Sequence, residues 1–347
     1  MIEPKNLLIV RTDRIGDVVL SLPIARIIKK YFPDCKVTFL LKEYTKSLVE
    51  KNPFIDHILT VNEINGRILL KKNVLMLKKY NYDYCIMVYP TFIMSLTIFL
   101  SRIKNRIGTG YRWYSLFFNK RVYVHRKYAE KHGLEFNLDM LNIFGIKEKV
   151  NPGNIKFDIQ VNEDSVKLVR GKLKSYNIKS DKPLIIIHPG SGGSSVNLPQ
   201  VKFKELLVQI NEKLNADVVL TGSRSERNLC ESLRISNNII NFAGIFNLRE
   251  LIVLINEADI LIANSTGPLH IAAALGKYVI GFYPKILVCS AKRWGPYSDK
   301  SFVFQPGIPC ENCNRKQCYN LNCMNSIDIN KVLVQIEKIL NKINGPL

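Results

Sequence analysis

Arg11, Asp13, Arg14 and Asp17 are the first residues that invite chemistry, in the stretch VRTDRIGDVVLSLP between an apolar run, Leu7–Val10, and a helical apolar pattern. Carboxylates there can take a proton and guanidiniums can meet negative charge. Either aspartate could equally cap the following helix. A second group is HPGSGGSS, His188 to Ser195, after another apolar run. Gly192 and Gly193 let backbone N–H groups come close to a ligand, and Ser191, Ser194 and Ser195 add hydroxyl donors. A third is NSTGPLH, where Ser265, Thr266 and Gly267 precede Pro268 at the first position of a helix. Such an N-terminus suits an anion, with Leu269 and His270 in the first turn and His270 facing either the anion or the core. Glu226 follows a strand in TGSRSERN and could accept from ribose hydroxyls or form a surface salt bridge. No stretch fits the P-loop or G-x-G-x-x-G patterns at these loops, which argues against an ATPase or a nicotinamide enzyme.

The elements that must position these loops alternate. In the first half, apolar runs at Leu7–Val10, Lys36–Leu41, His57–Val61, Tyr84–Val88, Arg106–Ile107 and Arg121–Val124 read as strands. Helical spacing predicts helices over Asp17–Tyr31, Glu43–Asn52, Asn62–Tyr80, Phe92–Ile103 and Leu134–Phe144. The same rhythm restarts after NPGNIKFDIQ and ends in an amphipathic helix, Asp328–Ile343. Two blocks of alternating strands and helices imply an α/β protein of two doubly wound, Rossmann-like domains, 1–160 and 161–347. Ligands of such sheets sit beyond the carboxyl ends of the strands, which is where all three groups fall.

The chain of 347 residues carries a net charge of +21. Between Arg102 and Lys131 stand nine basic residues and one acid, interleaved with aromatics such as Tyr111, Trp113 and Phe117. That balance favours an anionic partner, whether a phosphorylated substrate, an anionic lipid surface or a nucleic acid. Lysines solvating a surface over an aromatic core, in a composition biased toward Lys, Ile and Asn, would look the same. Pro90 divides the most apolar stretch, Tyr84 to Arg102, into pieces too short to span a membrane. No signal peptide is visible, so a cytoplasmic protein is expected.

Eight cysteines are present. Cys35, Cys85, Cys230 and Cys289 lie in apolar contexts as buried thiols would. Cys310, Cys313, Cys318 and Cys323 form C-x2-C-x4-C-x4-C, which could hold a structural Zn²⁺ or remain as thiols or a disulfide.

VRTDRIGDVVLSLP, RIGTGYR, EFNLDML, IHPGSGGSS and ADILIANSTGPLHIAAALG occur in the order and at the intervals found in lipopolysaccharide heptosyltransferases. On these motifs the chain resembles glycosyltransferase family 9 along nearly its whole length. The resemblance implies a GT-B fold whose N-terminal domain faces an acceptor across a cleft from a C-terminal domain that holds a nucleotide-sugar. It implies Asp17, after Gly16, as general base, with Asp13 as rival, and Arg11 and Arg14 toward the acceptor's phosphates or the leaving group. Ser191–Ser195, Glu226 and Ser265–His270 would bind the donor.

The implied reaction is inverting transfer of heptose or a related sugar, with ADP-heptose as donor and a lipopolysaccharide core or similar glycolipid as acceptor. No cofactor or catalytic metal is implied, and nucleic acid is not an expected partner. The expected place is the cytoplasmic face of the inner membrane, held by peripheral contact. Two departures stand out. The family's SSKNWP reads SSVNLP here, placing Val196 where a donor-binding lysine is usual, and its DSGPMH reads STGPLH, placing Ser265 where an aspartate is usual. Lys202, Lys204, Lys285 or Arg293 could restore the charge. A different nucleotide-sugar or a weakly active relative is the alternative reading.

Overall fold

The computed structural model describes residues 3–125, 128–178, 181–308 and 314–345. They form two compact units, the first running to Gln160 and the second from Val161 onward, with Tyr128–Glu130 grouped with the second. The first contains β1 (Asn6–Val10), α1 (Ile15–Val19), α2 (Pro23–Tyr31), β2 (Lys36–Leu41), β3 (His57–Thr60), β4 (Glu63–Ile64) and β5 (Arg67–Ile68). It continues with α3 (Leu70–Lys78), β6 (Tyr84–Met87), α4 (Phe92–Leu100), β7 (Asn105–Thr109), β8 (Lys120–Val122) and α5 (Gly133–Leu138).

The second unit contains α6 (Glu163–Ser175), β9 (Leu184–His188), α7 (Gln200–Lys213), β10 (Asp217–Leu220), α8 (Arg227–Leu233), β11 (Ile239–Asn241) and α9 (Leu248–Glu257). After these come β12 (Ile260–Asn264), α10 (Gly267–Ala274), β13 (Tyr278–Phe282), α11 (Ala291–Trp294), β14 (Ser301–Phe304), α12 (Arg315–Asn320) and α13 (Ile329–Asn344).

Each unit is built on a six-stranded sheet, ordered β3-β2-β1-β6-β7-β8 in the first and β11-β10-β9-β12-β13-β14 in the second. All pairings in both are parallel; Val10 stands opposite Leu40 and Met87, and Ile187 opposite Leu220 and Ile262. A parallel strand covered on both faces needs an unbroken apolar run, and Leu7–Val10 and Ile185–Ile187 supply it, all fully buried. In both units the chain builds outward on one side of its first strand and then crosses to the other. The switch points lie between β1 and β6 and between β9 and β12, so crevices open at their carboxyl ends.

The expected helices need four corrections. Asn62–Tyr80 is not one helix: β4 and β5 form an antiparallel hairpin through Asn65 and Gly66, both with positive φ, before α3 begins. Asn-Gly is the strongest short hairpin signal, and it outweighs the helical spacing around it. Asp17–Tyr31 is two helices. Pro23 has no N–H to offer the Val19 carbonyl, which takes the Leu22 N–H at 3.1 Å instead. Only the first turns of Glu43–Asn52 are helical, as a 3₁₀ helix over Glu43–Leu48, and Leu134–Phe144 passes from α5 into a 3₁₀ helix, Asp139–Phe144. β14, at the edge of the second sheet, had no counterpart in the sequence reading. Among the described residues no helix is long and apolar enough to cross a membrane.

Candidate active site

The loop after β1 folds around one guanidinium. Arg11 is only 2% exposed; its Nη2 donates to Asp17 Oδ1, and its Nε stands 2.7 Å from Asp13 Oδ1. The second contact is an ion pair and not a hydrogen bond, so Arg11 Nε and Nη1 are buried donors without hydrogen-bond partners among the described residues. The guanidinium also packs 5.7 Å from the ring centre of Tyr89, just beyond β6, so this contact straddles the switch point.

Two carboxylates beside one cation cannot both be fully compensated, and the strain falls on Asp13. Burial pushes its carboxyl up to about 6; Arg11 opposes the rise and Asp17 adds to it. The loop is held from outside as well: Ser21 Oγ donates to the Asp17 carbonyl at 2.8 Å, and Tyr44 Oη to that of Asp13 at 2.7 Å. Asn137 on α5, from the EFNLDML stretch, donates to the Leu20 carbonyl at 2.9 Å and so supports the end of α1. Arg11, expected to face the acceptor's phosphates or the leaving group, is therefore enclosed with the carboxylates. Arg14 is exposed and makes no ion pair among the described residues.

In the second unit β10, β9 and β12 are neighbours, so the loops after them meet at one end of the sheet. Asn264, fully buried, ties two of them: its Nδ2 donates to the Pro189 carbonyl at 2.6 Å and its Oδ1 accepts the Leu198 N–H at 2.8 Å. Ser194 Oγ donates to the Ser265 carbonyl at 2.8 Å, a second tie between the loop after β9 and the turn before α10. Gly192 and Gly193 both take the left-handed conformation, with φ of +53° and +74°. Ser191 Oγ is buried without a hydrogen-bond partner among the described residues, while Ser195 is buried with its hydroxyl on the Val196 carbonyl.

Glu226 joins from the loop after β10. Its Oε2 accepts Ser223 N–H and Oγ, each at 2.8 Å, and its Oε1 accepts the Gly192 N–H at 3.3 Å. Burial works against its charge, but the Ser223 bonds, His188 and the Gly192 bond prevail and hold the carboxyl below its ordinary value. His188 Nδ1 lies 3.0 Å from Thr221 Oγ1, and burial drives its pKa down to about 4, so the ring is neutral. α10 begins at Gly267 with Thr266 as N-cap and Pro268 in its first turn, and among the described residues no side chain caps it. Its first N–H groups are left for an anion. Leu269 and His270 are buried beneath that turn.

The departure at Val196 has a structural reason. Val196 is 2% exposed and, with Leu198, belongs to a core cluster that includes Cys289, Cys318, Cys323 and Met324. An ammonium there would lack water and partner. A cation reaches the loop from elsewhere: Arg315, at the start of α12, donates from Nη2 to the Ser194 carbonyl at 2.8 Å and from Nη1 to that of Gly193 at 3.4 Å. Its guanidinium also lies 3.2 Å from Cys289 Sγ. Among the residues proposed for this task, Lys202 pairs with Glu205 and Lys285 bonds the Ile308 carbonyl.

Arg315 and Asn264 were not singled out in the sequence. The one available sign was their position in or beside motifs whose other members were.

Cys35, Cys85, Cys230, Cys289, Cys318 and Cys323 are buried free thiols. Cys310 and Cys313 lie outside the described residues, and among those described no group of three or more side chains could hold a metal ion.

Two doubly wound parallel units with loops gathered at their switch points define the GT-B architecture. The structure of Escherichia coli ADP-heptose lipopolysaccharide heptosyltransferase II shares the fold, with a TM-score of 0.80 at 19% identity over 98% of this chain and 100% of that one. The model of glycosyltransferase family 9 (heptosyltransferase) matches residues 71–324, and the chain belongs to that family. A Haemophilus influenzae protein named a candidate glycosyltransferase is 29% identical over 316 residues, 87% of this chain and 89% of its own. Lipopolysaccharide heptosyltransferase 1 of Campylobacter coli is 24% identical over 281 residues, 78% of this chain and 81% of its own.

Proposed function

We propose that this glycosyltransferase moves a heptose from a nucleoside-diphosphate sugar, ADP-heptose, to a lipopolysaccharide core or similar glycolipid, with inversion at the anomeric carbon. The observation that carries the reading is the enclosed Arg11 with its two aspartates at the first switch point. Arg11 makes its hydrogen bond to Asp17 and only an ion-pair contact to Asp13, whose charge burial disfavours, so Asp17 is the better-placed base. As the acceptor oxygen bonds to the anomeric carbon, its proton passes to Asp17 and the bond to the diphosphate breaks. Asp13, which titrates near 6 and is mostly ionised at neutral pH, accepts a hydrogen bond from an acceptor hydroxyl and orients the sugar.

The departing diphosphate gathers negative charge, which preorganised donors stabilise best. The uncapped turn Gly267–Leu269, the Ser191–Ser194 loop and Arg315 are the groups we assign to it. Glu226 sets that loop's shape and keeps Oε1 within reach of a ribose hydroxyl. The names of the relatives support ADP-heptose and lipopolysaccharide as the substrates. This route draws on side chains and backbone alone and requires no cofactor.

The test is a panel of ADP-, UDP-, GDP- and CMP-linked sugars, ADP-heptose included, read by thermal stabilisation and by transfer in wild type and Asp17→Ala. Stabilisation by ADP-heptose in both, with transfer reduced about 10²–10⁴-fold in the variant, supports the reading. Stabilisation by another nucleotide-sugar moves the substrate and keeps the mechanism. An Asp17→Ala enzyme as fast as wild type removes Asp17 as base.

A further inference from the structure

The first unit carries an exposed apolar face that the reaction steps leave unused. α4, FIMSLTIFL, buries Met94, Ser95, Thr97 and Ile98 and leaves Phe92, Phe99 and Leu100 exposed. A surface helix of a water-soluble domain ordinarily turns polar residues outward, but this one buries its two, Ser95 and Thr97, and exposes apolar side chains. A 3₁₀ helix, Trp113–Phe117, extends the face. Trp113 stacks on Phe92 with ring centres 5.0 Å apart, and Phe117 packs on Phe92 at 6.1 Å and on Phe99 at 5.3 Å. Trp113 is 72% exposed and Leu116 57%.

The charged residues of the adjoining stretch, Arg102 to Arg112, are all basic. Arg102, Lys104 and Arg112 are exposed around the rings, Arg106 lies 5.3 Å from the centre of Phe99, and the stretch to Lys131 contains one acid, Glu130. The face also adjoins the candidate site. Tyr114 Oη donates to the Pro90 carbonyl at 2.9 Å, next to Tyr89, on which Arg11 packs.

We propose that this face docks on an anionic lipid bilayer, with Trp113, Leu116, Phe92 and Phe99 at the level of the headgroups and the basic rim on lipid phosphates. Rings with one apolar side and one wet edge favour that boundary, and each basic residue near an anionic surface adds attraction that falls off within a Debye length. Charge complementarity selects this occupant, since the basic residues beside the rings, Arg102, Lys104, Arg106 and Arg112, suit a continuous anionic surface. The inference rests on the glycolipid reading of the acceptor: docking here brings the Asp13–Asp17 loop beside lipid-borne sugars.

The experiment uses the full chain with Trp294→Phe, leaving Trp113 as its only tryptophan, and vesicles of phosphatidylcholine alone or mixed equally with phosphatidylglycerol. Mixed vesicles are expected to shift Trp113 emission to the blue, with quenching by brominated acyl chains, and added salt to reverse both. Trp113→Ser with Leu116→Ser in the otherwise natural chain is expected to weaken co-sedimentation at least about tenfold. That variant should still glycosylate an acyl-free, water-soluble acceptor while losing transfer to acceptor embedded in vesicles. Unchanged Trp113 emission with mixed vesicles overturns the docking face, whatever the transfer assays give. Burial of Trp113 by a single-stranded oligonucleotide, or in a dimer of this chain, instead of by vesicles overturns it as well. Vesicle binding through Trp113 with no transfer to either acceptor would uphold the face and sink the proposed reaction.

Discussion

Glu226 occupies the space in which a side chain at Gly190 would stand: a Cβ there would lie 1.9 Å from Oε1. The glycine is needed for this approach, and through Glu226 it sets the position of the Gly192 N–H. Gly190→Ala is expected to displace the carboxylate and weaken nucleotide binding by about tenfold, the worth of one charge-assisted bond. Adding Glu226→Ala relieves the clash, so the double variant should bind no worse than Glu226→Ala alone. Calorimetric titration of the nucleotide into the four proteins checks this, and additive losses would contradict it.

Asn264 is a structural tie whose loss is read in stability. Its removal leaves the Pro189 carbonyl and the Leu198 N–H without their partner, in a place closed to water. Asn264→Ala is expected to lower the unfolding free energy by about 2–4 kcal/mol, a cost on the scale of two buried unsatisfied groups. Denaturant unfolding measures it; a loss below about 0.5 kcal/mol, as at an ordinary surface site, would contradict it.

Asp13 and His188 pull stability in opposite directions as pH changes. Folded Asp13 titrates near 6, above its ordinary 3.8, so it binds a proton more tightly than the unfolded chain does. Its contribution is present below about pH 4 and is lost as pH rises through about 6. Folded His188 titrates near 4, below its ordinary 6.5, so its contribution is present above 6.5 and is lost as pH falls through about 4. Asp13→Asn is expected to raise stability at pH 7.5 by on the order of 1–3 kcal/mol and to add nothing at pH 4. His188→Gln should flatten the acid side of the same profile. Urea unfolding at several pH values separates the two.

Arg315 is expected to act through the donor. Arg315→Ala should raise the donor KM about tenfold, with kcat changed less, as loss of one charge-assisted contact gives. Arg315→Lys should recover part of it, because one ammonium cannot span the two carbonyls that the guanidinium fork reaches. An unchanged KM in steady-state transfer assays would remove Arg315 from the donor site.

The central strands could be read from sequence because a parallel strand covered on both faces must be apolar without interruption, as in LLIV and LIII. The loops after them could be read because residue type and position at a strand end coincide. Helix spacing misled where a local signal was stronger: Asn65-Gly66 made a hairpin, and Pro23 divided a helix. What could not be read depends on approach between distant residues. Arg315 meets Gly193 across 122 positions, and nothing at either position announces the other. Val196 looked like a lost cation and proved to be part of the core, a distinction that burial alone makes.

That shared core also sets where the chain can be shortened. Cys318, Cys323 and Met324 pack in one cluster with Val196 and Leu198, and Tyr319 Oη donates to the Ser195 carbonyl at 3.3 Å. The stretch Cys318–Met324 is thus the floor and buttress of the loop after β9. A protein engineer who trims Cys318–Met324 as a dispensable appendage strips the underside of the loop we assign to the nucleotide-sugar, and the damage is expected to appear there without a single residue of the loop itself being changed.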